Sequence, residues 1–170
     1  MRLSLSHRVA AIGLAAVFFI SPAVAQPAAA SSDDPLAGCE HLIGGTWTSN
    51  SSDHTFEWGV GRKYVIANSY FVDEAGEAKL VGQGLWYWDP AAETIKGISL
   101  AIDMPFDVME MRSRFEDDRL INELTTIASD GTKSAYIETW DFTDADTYEW
   151  NLHQGDLDDP VMMSDTYTRR

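Results

Sequence analysis

The stretch Ser134-Ala135-Tyr136-Ile137-Glu138-Thr139-Trp140-Asp141-Phe142, then Asp144-Ala145-Asp146, then Thr147-Tyr148-Glu149-Trp150-Asn151-Leu152-His153, decides the fold. Both long runs alternate in polarity instead of repeating every three to four residues, so each reads as a strand with two unlike faces. In the first, Tyr136, Trp140 and Phe142 share a face with Glu138; in the second, Tyr148, Trp150 and Leu152 lie together. The Asp-Ala-Asp between them is turn chemistry, because short acidic side chains hydrogen-bond to their own backbone. The pair is an antiparallel hairpin with one aromatic face.

The same pattern extends in both directions. Strand signals run Thr46 to Ser49, Thr55 to Trp58, Lys63 to Val72, Lys79 to Trp88, Thr94 to Ile102, Phe106 to Phe115, Arg119 to Ala128 and Val161 to Thr168, which with the hairpin makes ten. Asp73-Glu74-Ala75-Gly76, Asp89-Pro90, Asp117-Asp118, Asp130-Gly131 and Gly155 to Pro160 punctuate them. A spacing of roughly 12 residues per strand and turn is that of an all-β barrel or sandwich. Hairpins in unbroken succession make a meander, whose two edges disappear only on closure. The expected fold is therefore an all-β, about ten-stranded antiparallel up-and-down barrel over residues 42–170, with an open sandwich as the alternative. A short helical turn within Pro35 to Leu42 precedes it.

The whole chain has 170 residues, one domain's worth, with 45% hydrophobic and 11% aromatic side chains, too apolar for disorder. With 27 acidic against 12 basic side chains the net charge is -15, which repels phosphate backbones and argues against nucleic acid as a partner. A single cysteine, Cys39, excludes an intrachain disulfide. At the front, Arg2 and Arg8, an apolar run from Val9 to Ile20, and Ser21-Pro22-Ala23-Val24-Ala25 follow the order of a cleaved secretory signal. The apolar run is too short for a stable membrane span. Residues 1–25 are thus read as a signal peptide, implying a periplasmic or secreted protein, and residues 26–41 as a flexible leader and the helical turn. Loss of Arg2 and Arg8 with no carboxylate takes the charge from -15 to -17. Leu36-Ala37-Gly38-Cys39 also matches a lipobox, but Asp33, Asp34 and Pro35 separate it from the apolar run.

Alternation predicts what meets inside the barrel. Met109, Met111 and Phe115 oppose Glu110, Arg112 and Arg114 in the sixth strand, so the methionine face points inward. In the fourth, Trp86 and Trp88 share a face with Gly82 and Gly84, whose missing side chains would leave room beside the indoles. The predicted lining is Trp58, Tyr70, Trp86, Trp88, Met109, Met111, Glu138, Trp140 and Trp150. Such a lining suits a small apolar or aromatic ligand, with Glu138 as the orienting polar group. Small barrels are equally often filled by their own side chains, which would leave a solid core and a protein-interaction role.

At Leu42-Ile43-Gly44-Gly45-Thr46-Trp47 a helical turn leads into Gly-x-Trp, and the chain ends in Tyr167-Thr168-Arg169-Arg170. In this the chain resembles the calycin superfamily of lipocalins and fatty-acid-binding proteins, and within it bacterial exported lipocalin-like domains of largely unassigned function. The resemblance covers roughly Leu42 to Arg170 and implies a barrel whose early Trp is covered by a late basic residue, here Trp47 by Arg169. Ile43 stands where true lipocalins carry Asn. The likeness extends distantly to nitrobindins, ten-stranded barrels that bind haem through a late histidine, which draws attention to His153. Alternation sets His153 opposite Tyr148 and Trp150 and so towards water, against haem ligation.

Little else carries chemistry. His41, His54 and His153 are far apart in sequence and lack a metal-binding spacing. Cys39 reads as a packed small hydrophobe. The acidic loop Gly155 to Pro160 has the oxygen ligands calcium favours without a full binding pattern, and reads as a solvated turn. Asn50-Ser51-Ser52 is a formal glycosylation sequon. Glu138 among aromatics has the environment of a carboxylic acid with a raised pKa, which admits an acid/base enzyme as a weaker alternative. No cofactor is implied.

Overall fold

The computed structural model describes residues 34–170. Its ten strands are β1 (Trp47–Thr48), β2 (Ser52–Trp58), β3 (Tyr64–Val72), β4 (Ala78–Asp89), β5 (Thr94–Ala101), β6 (Val108–Glu116), β7 (Arg119–Ile127), β8 (Lys133–Asp144), β9 (Thr147–His153) and β10 (Val161–Arg169). Each pairs antiparallel with the next, and β1 pairs with β10, so the meander closes into an up-and-down barrel. This is the architecture that the calycin resemblance implies. The signal-peptide reading and most of the leader lie outside the described residues. Among the described residues, no helix is long and apolar enough to cross a membrane.

The closing seam is narrow. β1 contributes only two residues, with Trp47 opposite both Arg169 and His54, and Thr48 opposite Thr168 and Asp53. Thr46 and Arg170 lengthen the seam by exchanging backbone hydrogen bonds of 3.2 and 2.9 Å. What fastens it is side-chain packing. The Arg169 guanidinium lies 4.4 Å from the Trp47 ring centroid, and donates to the carbonyls of Ile43 (3.1 Å), His41 (2.6 Å) and Ala145 (2.6 Å). A single side chain thereby ties the last strand to the segment before β1 and to the β8–β9 turn.

That preceding segment plugs one end. A 3-10 turn at Ala37–His41 presents Leu36, Cys39 and Leu42, all at most 2% exposed, to the barrel's interior. Gly38 makes the close approach possible: a Cβ there would stand 2.5 Å from the Phe115 ring. Trp47 Nε1 donates to Leu42 O at 2.9 Å, so the indole that the arginine covers also anchors the plug. Burial pushes the Cys39 thiol up to about 12, leaving it protonated and unreactive.

Cross-strand register identifies the inward face of every strand, since directly opposed residues share a face. Phe56 opposes Ala67, Ala67 opposes Gly84, Val65 opposes Trp86, Trp86 opposes Gly97, Gly97 opposes Met111, Met111 opposes Leu124, and Leu120 opposes Trp140. Toward the plug this face is aromatic and tight. Trp140 and Tyr148 stack at 4.9 Å, Tyr148 and Tyr167 at 4.9 Å, and Trp86 meets Phe56 at 5.8 Å and Trp140 at 5.7 Å. Toward the far end the inward residues Ser69, Gly82, Ser99, Ala101, Met109 and Leu152 are partly exposed, while Thr126, opposite Met109, is buried.

Candidate functional site

Between those two layers β6, β7, β8 and β9 set Ser113, Asn122, Glu138 and Leu152 side by side across the inward face. Glu138 reaches the interior because β8 keeps an unbroken alternation from Ser134 to Phe142, and it lies between Tyr136 and Trp140 on that face. Asn122 Nδ2 donates to Glu138 Oε2 at 2.8 Å, and Trp150 Nε1 donates to Oε1. Both carboxylate oxygens thus accept from neutral donors. None of the ion pairs among the described residues includes Glu138. Burial pushes its pKa up, and the hydrogen bonds from Trp150 and Asn122 only partly oppose that. The Trp140 indole approaches the same carboxylate without the geometry of a hydrogen bond, and its N–H has no partner.

Beside Trp140 is a second titratable group. His54 stacks on Tyr167 at 4.7 Å and on Trp140 at 6.1 Å, and its Nδ1 shares a 3.3 Å hydrogen bond with Tyr148 Oη. Burial pushes its pKa down to about 4, against the opposing pull of Asp53 and Asp165, so the imidazole is neutral at physiological pH. Tyr167 Oη is 2.6 Å from Ser52 Oγ, and burial holds both Tyr148 and Tyr167 as phenols. The interior therefore carries carboxylate, imidazole, phenol and indole groups, and among the described residues no cluster arranged to bind a metal.

Of the nine predicted lining residues, Trp86, Met111, Glu138, Trp140 and Trp150 come together around this centre, with Trp86 Nε1 directed at Met111 Sδ at 3.3 Å. Met109 faces inward nearer the open end, opposite Ser99. Trp58 and Trp88 also point inward but belong to the plugged end, where Trp58 lies under Arg62 at 4.3 Å and donates to Glu40 Oε2 at 3.4 Å. Tyr70 is a correction. It is in register with Asp53, out of phase with the inward pair Ser69 and His54, so it faces outward.

Two further corrections concern neighbours the alternation could not reveal. His153 does keep the outward phase, opposite Ile137, but it is only 9% exposed, because the loop after β9 folds back and Asp159 O accepts from its Nδ1 at 2.8 Å. It is a buried structural histidine instead of one facing water. Gly84 leaves no room beside an indole, since a Cβ there would lie 2.5 Å from Ile98 O; the Trp86 indole instead covers Gly97, where a Cβ would be 2.4 Å from Trp86 Cδ1. At Gly82 such a Cβ would make ordinary van der Waals contact, its nearest neighbour, Ser69 Cβ, being 3.5 Å away.

His54 is the interior titratable residue whose place on a strand sequence reasoning missed. A second strand read from Thr55 leaves it in a loop, whereas β2 starts at Ser52 and puts His54 in phase with Phe56 and Trp58. The available signal was that alternation, extended one step back. Compared with known proteins, the chain matches no protein-family model and no curated protein.

Proposed function

We propose that this chain is an exported small-molecule binding protein that holds an apolar or aromatic ligand in the open half of its barrel, with Glu138 orienting the ligand. The observation that carries the reading is the contrast along one inward face. Small or flexible residues, Ser69, Gly82, Ser99 and Met109, remain partly exposed above an aromatic floor formed by Trp86 and Trp140. A barrel filled throughout by its own side chains would close both levels alike. Binding there draws on apolar burial, about 25 cal/mol per Å² before the ligand's immobilisation is subtracted.

Export rests on the basic front, short apolar run and Ala-x-Ala exit, and N-terminal sequencing of the processed protein should begin at Gln26. The binding reading is tested by tryptophan fluorescence during titration with fatty acids, quinones and aromatic metabolites, alongside Ser99→Phe, which would occupy the open half. A saturable shift that Ser99→Phe removes supports the reading. Emission indifferent to every compound overturns it in favour of the solid-core, protein-interaction alternative.

A further inference from the structure

We infer that the polar group of the ligand is a protonated amine, seated against Glu138 with its hydrocarbon body toward the open end. This rests on the binding reading above and specifies its chemistry.

Around Glu138 the inner face holds acidic groups and no unpaired cation among the described residues; Lys79, opposite Phe71 in the inward phase at the rim, is paired with Asp103 at 2.6 Å. Glu138 and Asp165, the latter opposite Trp150, both take the inward phase. Arg112 and Arg114, by contrast, take the outward phase on β6, and Arg114 is spent on Glu116 and Glu123. Arg169, also in the inward phase, is committed to Trp47 and the carbonyls at the plugged end. His54 is neutral and hydrogen-bonded to Tyr148.

The donors around Glu138 fix its orientation and leave it able to accept from a ligand. Asn122 donates to one oxygen and Trp150 to the other, which orients both and leaves acceptor positions on each for a further donor. Neutral donors orient a charge but do not cancel it, and an uncompensated buried charge is costly. A ligand ammonium supplies the missing partner through a charge-assisted hydrogen bond. An anionic ligand such as a fatty acid would meet two carboxylates and no unpaired counter-charge, and the chain's net charge of -15 lowers its encounter rate further.

Phenethylamine, propylbenzene and 3-phenylpropionate share a ring and a chain and differ in charge, which separates the two levels of the reading. Calorimetric titration at neutral pH should rank them in that order, phenethylamine at least about tenfold tighter than propylbenzene, with 3-phenylpropionate weakest. Glu138→Gln should erase the preference for the amine and leave propylbenzene unchanged. Equal affinity for the amine and the hydrocarbon in the natural protein, which needs no variant to fold, overturns the inference and leaves the binding reading in place. A gap that persists in Glu138→Gln also overturns it. Failure of all three compounds to bind overturns the binding reading itself.

Discussion

At the plugged end of the barrel Trp47, Phe56, Val65, Trp140 and Tyr148 are at most 4% exposed, whereas Ser69, Gly82, Ser99 and Ala101, carried largely by neighbouring strands of the same sheet, remain partly exposed at the other end. Both sets obey one alternation. The difference teaches that period two decides which way a side chain points, while side-chain volume decides whether the space it points into is filled. The plugged half is assembled from ring stacking and a cation-π clasp. The other half keeps several small inward residues beside the Glu138 and Asp165 carboxylates.

The comparison is broken most directly at the clasp. Because Trp47 is fully buried and joins β1, the plug and Arg169, Trp47→Ala should cost roughly 3 to 5 kcal/mol in chemical denaturation. Arg169→Ala should cost less, and a double-mutant cycle should reveal coupling between the two. Additive losses would mean that the seam is held by its backbone bonds and the clasp is incidental.

Next in size is an effect of pH at the boundary between the halves. The folded-state pKa of His54, about 4, lies below its ordinary value of 6.5, so the unfolded chain binds more protons between those limits. The neutral form's contribution is fully present above pH 6.5 and is lost as pH falls toward 4, a change of roughly 3 kcal/mol. His54→Phe, which keeps the ring between Tyr167 and Trp140, should flatten that acid limb. Glu138 acts in the opposite sense. Its folded pKa is raised above 4.5, so its contribution is greatest below that pH and declines as pH rises through the folded value. Denaturation midpoints at pH 4.5 and 7 for both variants test the two signs, and an unchanged slope in His54→Phe would assign the acid limb to other groups.

Smaller effects sharpen the contrast at two glycines. Gly97→Ala puts a methyl 2.4 Å from the Trp86 ring and should cost about 1 to 3 kcal/mol by overpacking. Gly82→Ala meets nothing closer than 3.5 Å and should change stability by under about 0.5 kcal/mol. Equal costs at the two positions would show that the halves are packed alike.

Much of the architecture was legible in the chain. Ten strands and their turn residues stand in the sequence, because hydrophobic periodicity and Asp, Gly and Pro punctuation are local signals. The inward phase of Trp86, Met111, Glu138, Trp140 and Trp150 was legible for the same reason. Tyr70 was misread because aromatic character is a weaker guide to facing than the phase set by Val65, Ala67 and Ser69. The environment of His153 was hidden because it depends on a loop folding back.

The sequence by itself determined the strands and the inward identity of most of the lining, since each follows from alternation within a strand, while the pairing of Trp47 with Arg169 was what the calycin resemblance implied. Tertiary structure alone decided that Glu138 accepts from Asn122 and Trp150 with no cation beside it, that His54 is held neutral between rings from β8 and β10, and that the inward residues of one end are buried while most at the other stay partly exposed. Those properties depend on which side chains of distant strands converge, and on how much water they exclude, quantities that no local pattern encodes.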